Sequence, residues 1–320
     1  MLLSRVADNL YWMSRYLERA EHTARLIDVS LNLMLEQAPA ASERRWQRLL
    51  RALHVPPDDM PGDAAHITGL LTFDPGNSNS IAACVTSARE NAQHVRELIS
   101  SEMWEQVNGL YLQIKRTRPD DIWNGRPHEF YNAVKEGSHL FQGITDSTMT
   151  QGEGWQFIQI GRLIERAMSV AALIDVHYGE LHNLAGQSDS TDDYLEWIGL
   201  LKSVTAFEAY CKVYGADLRE DAIAEFLLLN GEFPHAVCYA ATRLQACLNE
   251  IAGKTETHRA GRVGKLAGRL RALLEFAQVD EIIDVSLHDT LDQVQTLCGQ
   301  IHTGLYGTYI TYSVEQELAS

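Results

Sequence analysis

Two stretches of the chain repeat one another and decide its fold. They read RYLERAEHTARLIDV at residues 15–29 and RLIERAMSVAALIDV at residues 162–176, so each matched position lies 147 residues further along. The match runs without a gap through the charged residues and the small ones. Self-similarity at a fixed offset indicates internal duplication. We therefore expect a chain built from two related halves.

Both copies carry the apolar periodicity of an α-helix. Apolar residues recur at alternating steps of three and four, namely Leu10, Met13, Leu17, Ala20, Ala24, Ile27, Leu31 and Met34 in the first copy and Phe157, Ile160, Ile164, Ala167, Ala171, Ile174, Tyr178 and Leu181 in the second. Such a stripe is typical of a helix packed against other helices. Neither proline nor glycine falls between residues 1 and 37, so the first helix is predicted to be long.

Charged residues lie off these stripes at one spacing in both copies. They are Arg15, Glu18 and Arg19 in the first copy and Arg162, Glu165 and Arg166 in the second. Residues three and four apart share a helix face. Neighbouring apolar residues make each helix apolar nearly all round, so the charges are expected to be buried at a cost. Three interpretations stay open: a structural ion-pair network, a site for an anion or carboxylate, and direct catalysis.

The composition limits the classes of protein to which the chain can belong. The 320 residues are 45% hydrophobic and 22% charged, which is the profile of a globular chain. The net charge of −16 argues against sequence-independent binding of nucleic acid or of anionic membrane, which needs clustered lysine and arginine. We expect neither partner.

The cysteines and the chain start indicate a cytoplasmic protein. The five cysteines form no CxxC pair and are widely spaced, so we expect reduced thiols. Residues 1–16 contain no long apolar run and do not resemble a signal peptide. No window is apolar enough to predict a membrane span.

The rest of the chain also predicts helices and no strands. They are expected at 3–37, 43–53, 81–99, 102–115, 129–148, 155–184, 191–214, 217–229, 234–251, 262–276 and 281–317, with a short turn near 65–71. Two further blocks repeat, around Trp46 and Trp197 and around Cys84 and Cys238. We therefore expect an all-α helical bundle of two duplicated halves, 1–150 and 151–320, packed about a pseudo-twofold axis.

Familiar catalytic and metal motifs are missing from the sequence. It contains no complete P-loop, no GxSxG and no HExxH. Glu136 and His139 have the Glu-x-x-His spacing of di-iron bundles, but that architecture needs a second such pair. We expect no metal and no cofactor. Tyrosines at 306, 309 and 312 are expected to pack within a helix.

Several separated blocks resemble the alpha-E domain family. The opening block is YWMSRYLERAE at residues 11–21, and GRLIERA at 161–167 resembles the second Glu-Arg motif of the family. The middle block includes Arg89 and Asn108, in ARENA at 88–92 and ISSEMWEQVN at 99–108. One departure is that Met168 and Ser169 stand where the first copy has Glu21 and His22. If Glu21 is needed for function, the two charged clusters are not equivalent.

The resemblance implies an all-helical bacterial protein that works beside ATP-grasp and transglutaminase-like proteins in making or modifying peptide bonds. On that basis we expect a helical accessory protein that holds an acidic or peptide ligand. The candidate binding residues are Arg15, Glu18, Arg19, Glu21, Arg162, Glu165, Arg166, Arg89 and Asn108. The alternatives are an enzyme that uses Glu18 or Glu165 as general base on an amine, and a purely structural scaffold.

Overall fold

The computed structural model describes residues 2–34, 39–55, 64–123, 126–184, 190–255 and 261–310. The described residues fold into helices and contain no strand, which confirms the all-α fold. The helices are α1 Ser4–Met34, α2 Pro39–Ala52, α3 Ala64–Phe73, α4 Ile81–His94, α5 Ser101–Arg116, α6 Pro119–Trp123, α7 Pro127–Thr148, α8 Glu153–Leu184, α9 Ser190–Ser203, α10 Phe207–Tyr214, α11 Glu220–Leu229, α12 Val237–Thr255, α13 Gly261–Glu275, α14 Val279–Val285 and α15 Leu287–Leu305, with a π-helical turn at Tyr306–Ile310.

The two repeated stretches form the central helices α1 and α8, of 31 and 32 residues. These two helices make the most extensive contact in the described structure. Their apolar stripes are buried as expected: Leu10, Ala20, Ala24, Ala167 and Ile174 have no exposed surface. The apolar periodicity therefore located the centre of the molecule.

The remaining helices pack on α1 and α8 in two similar sets. α1 contacts α4 and α7, and α5 joins those two, while α8 contacts α12 and α15, and α13 joins those two. This is the arrangement that a duplicated chain would give. The predicted boundary near residue 150 falls in the turn between α7 and α8. The symmetry axis between the halves stays a prediction.

A glycine allows α1 and α8 to approach closely. A Cβ atom placed on Gly161 would lie 2.3 Å from the backbone carbonyl oxygen of Tyr11 and 3.3 Å from Cβ of Ser14. Heavy atoms do not approach to 2.3 Å without a bond, so only glycine fits this helix crossing. The crossing lies one residue before Arg162, at the start of the second charged motif.

Two helices predicted to be continuous are broken. The stretch 191–214 divides into α9 and α10 at Thr205, whose φ of 58° lies in the left-handed region and cannot continue a helix. The stretch 281–317 divides into α14 and α15 at Ser286, whose hydroxyl accepts a hydrogen bond from the Asp289 backbone N–H. A serine in that role starts a helix instead of continuing one. Residues 311–317 of this prediction lie outside the described residues.

Three shorter differences concern helix ends. The predicted turn near 65–71 is the helix α3, and residues 119–123, predicted as loop, form the short helix α6 that begins at a proline. α4 ends at His94, several residues before the predicted end at 99. Residues 35–37 of the first predicted helix lie outside the described residues.

Candidate functional site

The two charged motifs face each other across the contact of α1 with α8. Both oxygen atoms of Glu165, on α8, accept hydrogen bonds from arginines of α1. Oε2 accepts from Arg15 Nε at 2.7 Å, and Oε1 accepts from Arg19 Nε at 2.6 Å. Arg19 also reaches Oε2 through Nη2 at 3.1 Å. A single carboxylate of the second motif therefore holds two arginines of the first.

Glu18, on α1, makes the reciprocal ion pair with an arginine of α8. Its Oε1 accepts a hydrogen bond from Arg166 Nε at 2.5 Å, and its Oε2 accepts one from Gln142 Nε2 at 3.2 Å. Arg166 also donates from Nη1 to the backbone carbonyl of Pro234 at 3.1 Å. Each motif thus supplies a glutamate to the arginines of the other. We call the six residues of the two motifs (Arg15, Glu18, Arg19, Arg162, Glu165 and Arg166) the Glu-Arg network.

Four of the six residues of the network are buried, and Arg19 and Arg162 are partly exposed. Glu18 is 3% exposed, and Arg15 and Glu165 are 5% exposed. Aromatic rings pack over the arginines, with the Arg15 guanidinium carbon 4.7 Å from the centre of the Trp12 ring. The expectation of buried charges is therefore correct for Arg15, Glu18, Glu165 and Arg166. Ion pairing offsets the free-energy cost of removing these charges from water.

The pairing fixes the charge state of Glu165. Burial alone would raise its pKa, but the adjacent Arg15 and Arg19 guanidinium groups hold the pKa of Glu165 below its usual value. The same contacts raise the pKa of both arginines against the opposing effect of burial. Glu165 is therefore a carboxylate in the folded protein at any physiological pH.

Arg162 breaks the equivalence of the two motifs. Its matched residue Arg15 pairs with Glu165, whereas Arg162 has no carboxylate partner among the described residues. It donates to two glutamine side-chain oxygens instead, Gln142 Oε1 at 3.1 Å and Gln159 Oε1. Its Nε is buried without a hydrogen-bond partner. Burial and the nearby Arg166 lower the pKa of Arg162.

A second branch of polar residues surrounds Glu21. Its Oε1 accepts hydrogen bonds from Arg25 and lies 3.5 Å from His139 Nε2. Burial alone would raise its pKa, but His139 and Arg25 hold it well below its usual value. His22 and His235 lie close enough to Glu21 and Arg25 to feel their charges. Half of the His139 side chain is exposed, so this branch reaches the solvent.

His22 is held neutral inside the protein. Burial lowers its pKa to about 4, and its Nε2 atom has no hydrogen-bond partner in the described structure. The unfolded chain takes up the proton near pH 6.5, so the native state loses stability as the pH falls from about 6.5 toward about 4. A pKa of about 4 in the fold, against about 6.5 in the unfolded chain, corresponds to a stability loss of about 3 kcal/mol once the pH falls below 4.

We expect the His22→Gln variant to lose less stability than the wild type between pH 7 and pH 4, by about 2–3 kcal/mol. Glutamine keeps a polar side chain of similar reach but takes up no proton. Urea unfolding at several pH values measures the difference. Equal pH dependence of the two proteins would show that His22 does not remain neutral in the fold.

Arg89 and Asn108 form a separate pair between α4 and α5. Arg89 Nε donates to Asn108 Oδ1 at 2.8 Å, and its guanidinium lies over the rings of Tyr111 and Trp104, 4.7 and 5.5 Å from the ring centres. These contacts of the pair lie on α4 and α5 and do not include the Glu-Arg network. The resemblance placed Arg89 and Asn108 among the candidate binding residues together with the motifs, whereas the structure places this pair apart from them.

Three amide residues that contact the Glu-Arg network carried no signal in the sequence. Gln142 and Gln159 hold Arg162, and Asn79 accepts a hydrogen bond from Arg19 Nη1 at 2.6 Å. Amides at these positions belong to no motif, and the packing of α7 on α1 brings Gln142 into place. The predicted tyrosine packing is seen at Tyr306, which is hydrogen-bonded to Trp12 and Asp8, whereas Tyr312 lies outside the described residues.

The described residues contain no group of three or more His, Cys, Asp or Glu side chains placed to hold a metal ion. Of the Glu-x-x-His pair noted in the sequence, His139 contacts Glu21 and Glu136 is exposed. In the same described ranges, no helix combines the length and apolar character that crossing a bilayer requires.

The fold and the network define a class: an all-helical protein whose two Glu-Arg motifs are joined across a central helix pair. The profile of the Alpha-E family, described as a predicted alpha-helical domain with a conserved ER motif, matches residues 2–310. The chain therefore belongs to the Alpha-E family.

Relatives among curated proteins are much longer than this chain. It is 23% identical over 322 residues to the uncharacterized protein Rv2567 of Mycobacterium tuberculosis, and equally to the uncharacterized protein Mb2597 of Mycobacterium bovis. Each match covers 94% of this chain and 35% of the relative, so the chain spans about a third of their length. No solved structure matches the chain.

Proposed function

We propose that the chain is a helical accessory module that binds the acidic group of a peptide substrate or partner. It would act within an ATP-grasp-associated system that makes or modifies peptide bonds. The observation that carries the proposal is Arg162. It is the one arginine of the Glu-Arg network that lacks a carboxylate partner among the described residues. Its Nε–H group donates no hydrogen bond in that part of the chain.

The charge around Arg162 favours an acidic ligand. Five arginines lie in or beside the network (Arg15, Arg19, Arg25, Arg162 and Arg166), against four carboxylates (Glu18, Glu21, Glu165 and Asp146). The local excess is therefore one positive charge, in a chain whose net charge is −16. A carboxylate brought to Arg162 would balance this excess.

The shape of the site suits a carboxylate. Guanidinium groups bind carboxylates through two parallel hydrogen bonds, in a fork that needs a fixed orientation. Gln142 and Gln159 hold the Arg162 guanidinium by its Nη atoms without neutralising it. Gln142 also donates to Glu18, which fixes the amide in place. The site is thus ordered before a ligand arrives, which lowers the entropic cost of binding.

The same contacts argue against the two motif glutamates as general bases. A general base must reach the proton it removes and must have a pKa near the working pH. Both oxygens of Glu165 are occupied by arginine N–H groups, and its pKa is lowered. Glu18 is similarly engaged by Arg166 and Gln142. A structural role for these glutamates, as links between α1 and α8, fits their contacts better.

The proposed partners are an ATP-grasp ligase-like protein and a transglutaminase-like protein. The relatives support a module that works next to other domains, because their chains are about three times as long as the matched part. The five cysteines are free, which is in keeping with a reducing compartment such as the cytoplasm. Co-purification from the native host tests the partnership, and recovery of the chain alone would count against it.

We expect a capped di-glutamate peptide to raise the melting temperature of the wild type by mass action, and a capped di-glutamine peptide to leave it unchanged. Arg162→Gln should weaken the effect about tenfold or more, because hydrogen bonds to charged groups are worth about 1.5–3 kcal/mol. Peptide titration by differential scanning fluorimetry gives both quantities.

Arg126→Gln is the matched control, because Arg126 forms an exposed pair with Glu129 at the start of α7. It should respond to the peptide as the wild type does. Equal stabilisation of wild type and Arg162→Gln would reject the assignment of Arg162. A wild type that responds to no acidic peptide would leave the purely structural interpretation.

A further inference from the structure

A small cavity lies between α1, α2, α8 and α9, separate from the Glu-Arg network. Its volume is about 30 Å³. The charged or titratable residues that line it are Arg45 and Arg48 of α2, His177 of α8 and Glu196 of α9. α1 contributes only Ser30 and apolar side chains, and Ser203 of α9 completes the polar lining.

The charges around this cavity do not balance. Glu196 Oε1 accepts a hydrogen bond from Arg45 Nη2 at 2.5 Å, and its Oε2 accepts one from Arg48 Nη2. Arg45 and Arg48 are each 5% exposed, and Glu196 is 7% exposed. One buried carboxylate thus serves two buried guanidinium groups, which leaves an excess of one positive charge. An uncompensated buried charge is strongly destabilising.

Polar atoms at the cavity also lack partners. Arg45 Nε and Nη1 are buried and have no hydrogen bond within the described part of the chain, and the same holds for His177 Nε2. Arg45 is 5% exposed and His177 is 4% exposed, so solvent does not satisfy them. Buried polar groups in native proteins are nearly always hydrogen-bonded, which indicates an occupant for this cavity.

We propose that the cavity binds one small monovalent inorganic anion of the size of chloride, held by Arg45 and His177. The charge selects an anion over water, because water would satisfy the N–H groups but leave the excess charge. The volume sets the size of the ligand. About 10–15 Å³ holds one water, so about 30 Å³ admits a halide but not an amino acid or a peptide carboxylate.

The site links anion binding to a proton. Burial and the two arginines, Arg48 and Arg45, hold the pKa of His177 well below its usual value. An anion offsets the field of the arginines, so the imidazole gains a proton more easily and its Nε2–H then donates to the anion. By linkage, the affinity for the anion rises as the pH falls. The other charged groups of the lining are Arg45, Arg48 and Glu196.

The cavity lies between helices of the two halves of the chain, so an anion bound there would affect how the halves are held together. α1 and α2 come from the first half of the chain, and α8 and α9 come from the second. An anion beside Arg45 would offset the repulsion between the buried Arg45 and Arg48 of α2, both of which donate to Glu196 of α9. We therefore expect halide to stabilise the whole fold.

The test uses the full chain purified without halide. Chloride should raise its melting temperature at constant ionic strength, with gluconate as the replaced anion, and should do so more strongly at pH 6 than at pH 8. Crystals grown in bromide should show an anomalous scattering peak between Arg45 and His177. Capped di-glutamate peptide should not compete with the halide.

Arg45→Gln removes the unpaired donors and the excess charge, while Arg48 keeps its bond to Glu196. This variant should bind chloride about tenfold more weakly or worse. Arg51→Gln is the control, since Arg51 lies on α2, is half exposed and pairs with Glu180 outside the cavity. It should respond to chloride as the wild type does.

Either of two results overturns the proposal. One is a wild type whose melting temperature depends on ionic strength but not on the presence of halide. The other is a bromide crystal with water in the cavity and no anomalous peak. The bromide experiment uses only the wild type, so it decides the question even if Arg45→Gln does not fold.

Discussion

Glu165→Gln is expected to cost about 3–5 kcal/mol of unfolding free energy, the range found when one partner of a buried ion pair is removed. Glutamine keeps the shape of the side chain but leaves Arg15 and Arg19 without a countercharge. Both arginines donate to Glu165 at 2.6–2.7 Å, and Glu165 is 5% exposed, so solvent cannot replace the lost charge. Urea unfolding at pH 7 measures the loss.

The matched change at Glu18 is expected to cost less. Glu18 accepts hydrogen bonds from one arginine, Arg166, and from one neutral amide, Gln142. Glu18→Gln therefore leaves only one guanidinium group without its carboxylate partner. Glu129→Gln is the control, because Glu129 forms an exposed pair with Arg126. It should change stability by no more than about 0.5 kcal/mol. Equal effects at Glu165 and Glu129 would contradict the buried pairing.

Gly161→Ala is expected to destabilise the protein by about 3 kcal/mol or more, at the upper end of the range for overpacking. The new methyl group would overlap the Tyr11 carbonyl oxygen, at 2.3 Å, and this neighbour is backbone of α1 that no rotamer change can move. The two central helices would have to separate, which also lengthens the bonds from Arg15 to Glu165. Thermal unfolding measures the effect.

Gly179→Ala provides the control on the same helix. A Cβ at Gly179 meets nothing within 4 Å, so alanine there should be neutral or stabilise α8 by up to about 1 kcal/mol. Both substitutions change helix propensity in the same way, so the difference between their effects measures the steric clash at Gly161 alone. Similar effects of the two substitutions would show that α1 and α8 do not approach closely at Gly161.

The apolar pattern of the sequence was sufficient to find the central helices. Ala20 and Ala167 stand at matched places in the two stripes, and both are fully buried. Helix periodicity depends only on local spacing, so it can be read without knowing what packs against the helix. The same local reasoning failed at Thr205, because no glycine or proline marks its left-handed conformation.

The partners of the charged residues could not be predicted in the same way. The spacing put Arg15, Glu18 and Arg19 on one face, but it did not show that Glu165 would pair with two of them. That outcome depends on how α1 and α8 cross, which Gly161 permits. The different surroundings of Arg162 depend on Gln142, which α7 brings from another part of the chain.

A double-mutant cycle on Arg19 and Glu165 tests most directly whether the two motifs bind each other across α1 and α8. It compares the unfolding free energies of the wild type, Arg19→Gln, Glu165→Gln and the double variant. The pairing predicts that the double variant is more stable than the sum of the single losses implies, by about 1–3 kcal/mol. Additive losses, within about 0.5 kcal/mol, would contradict it.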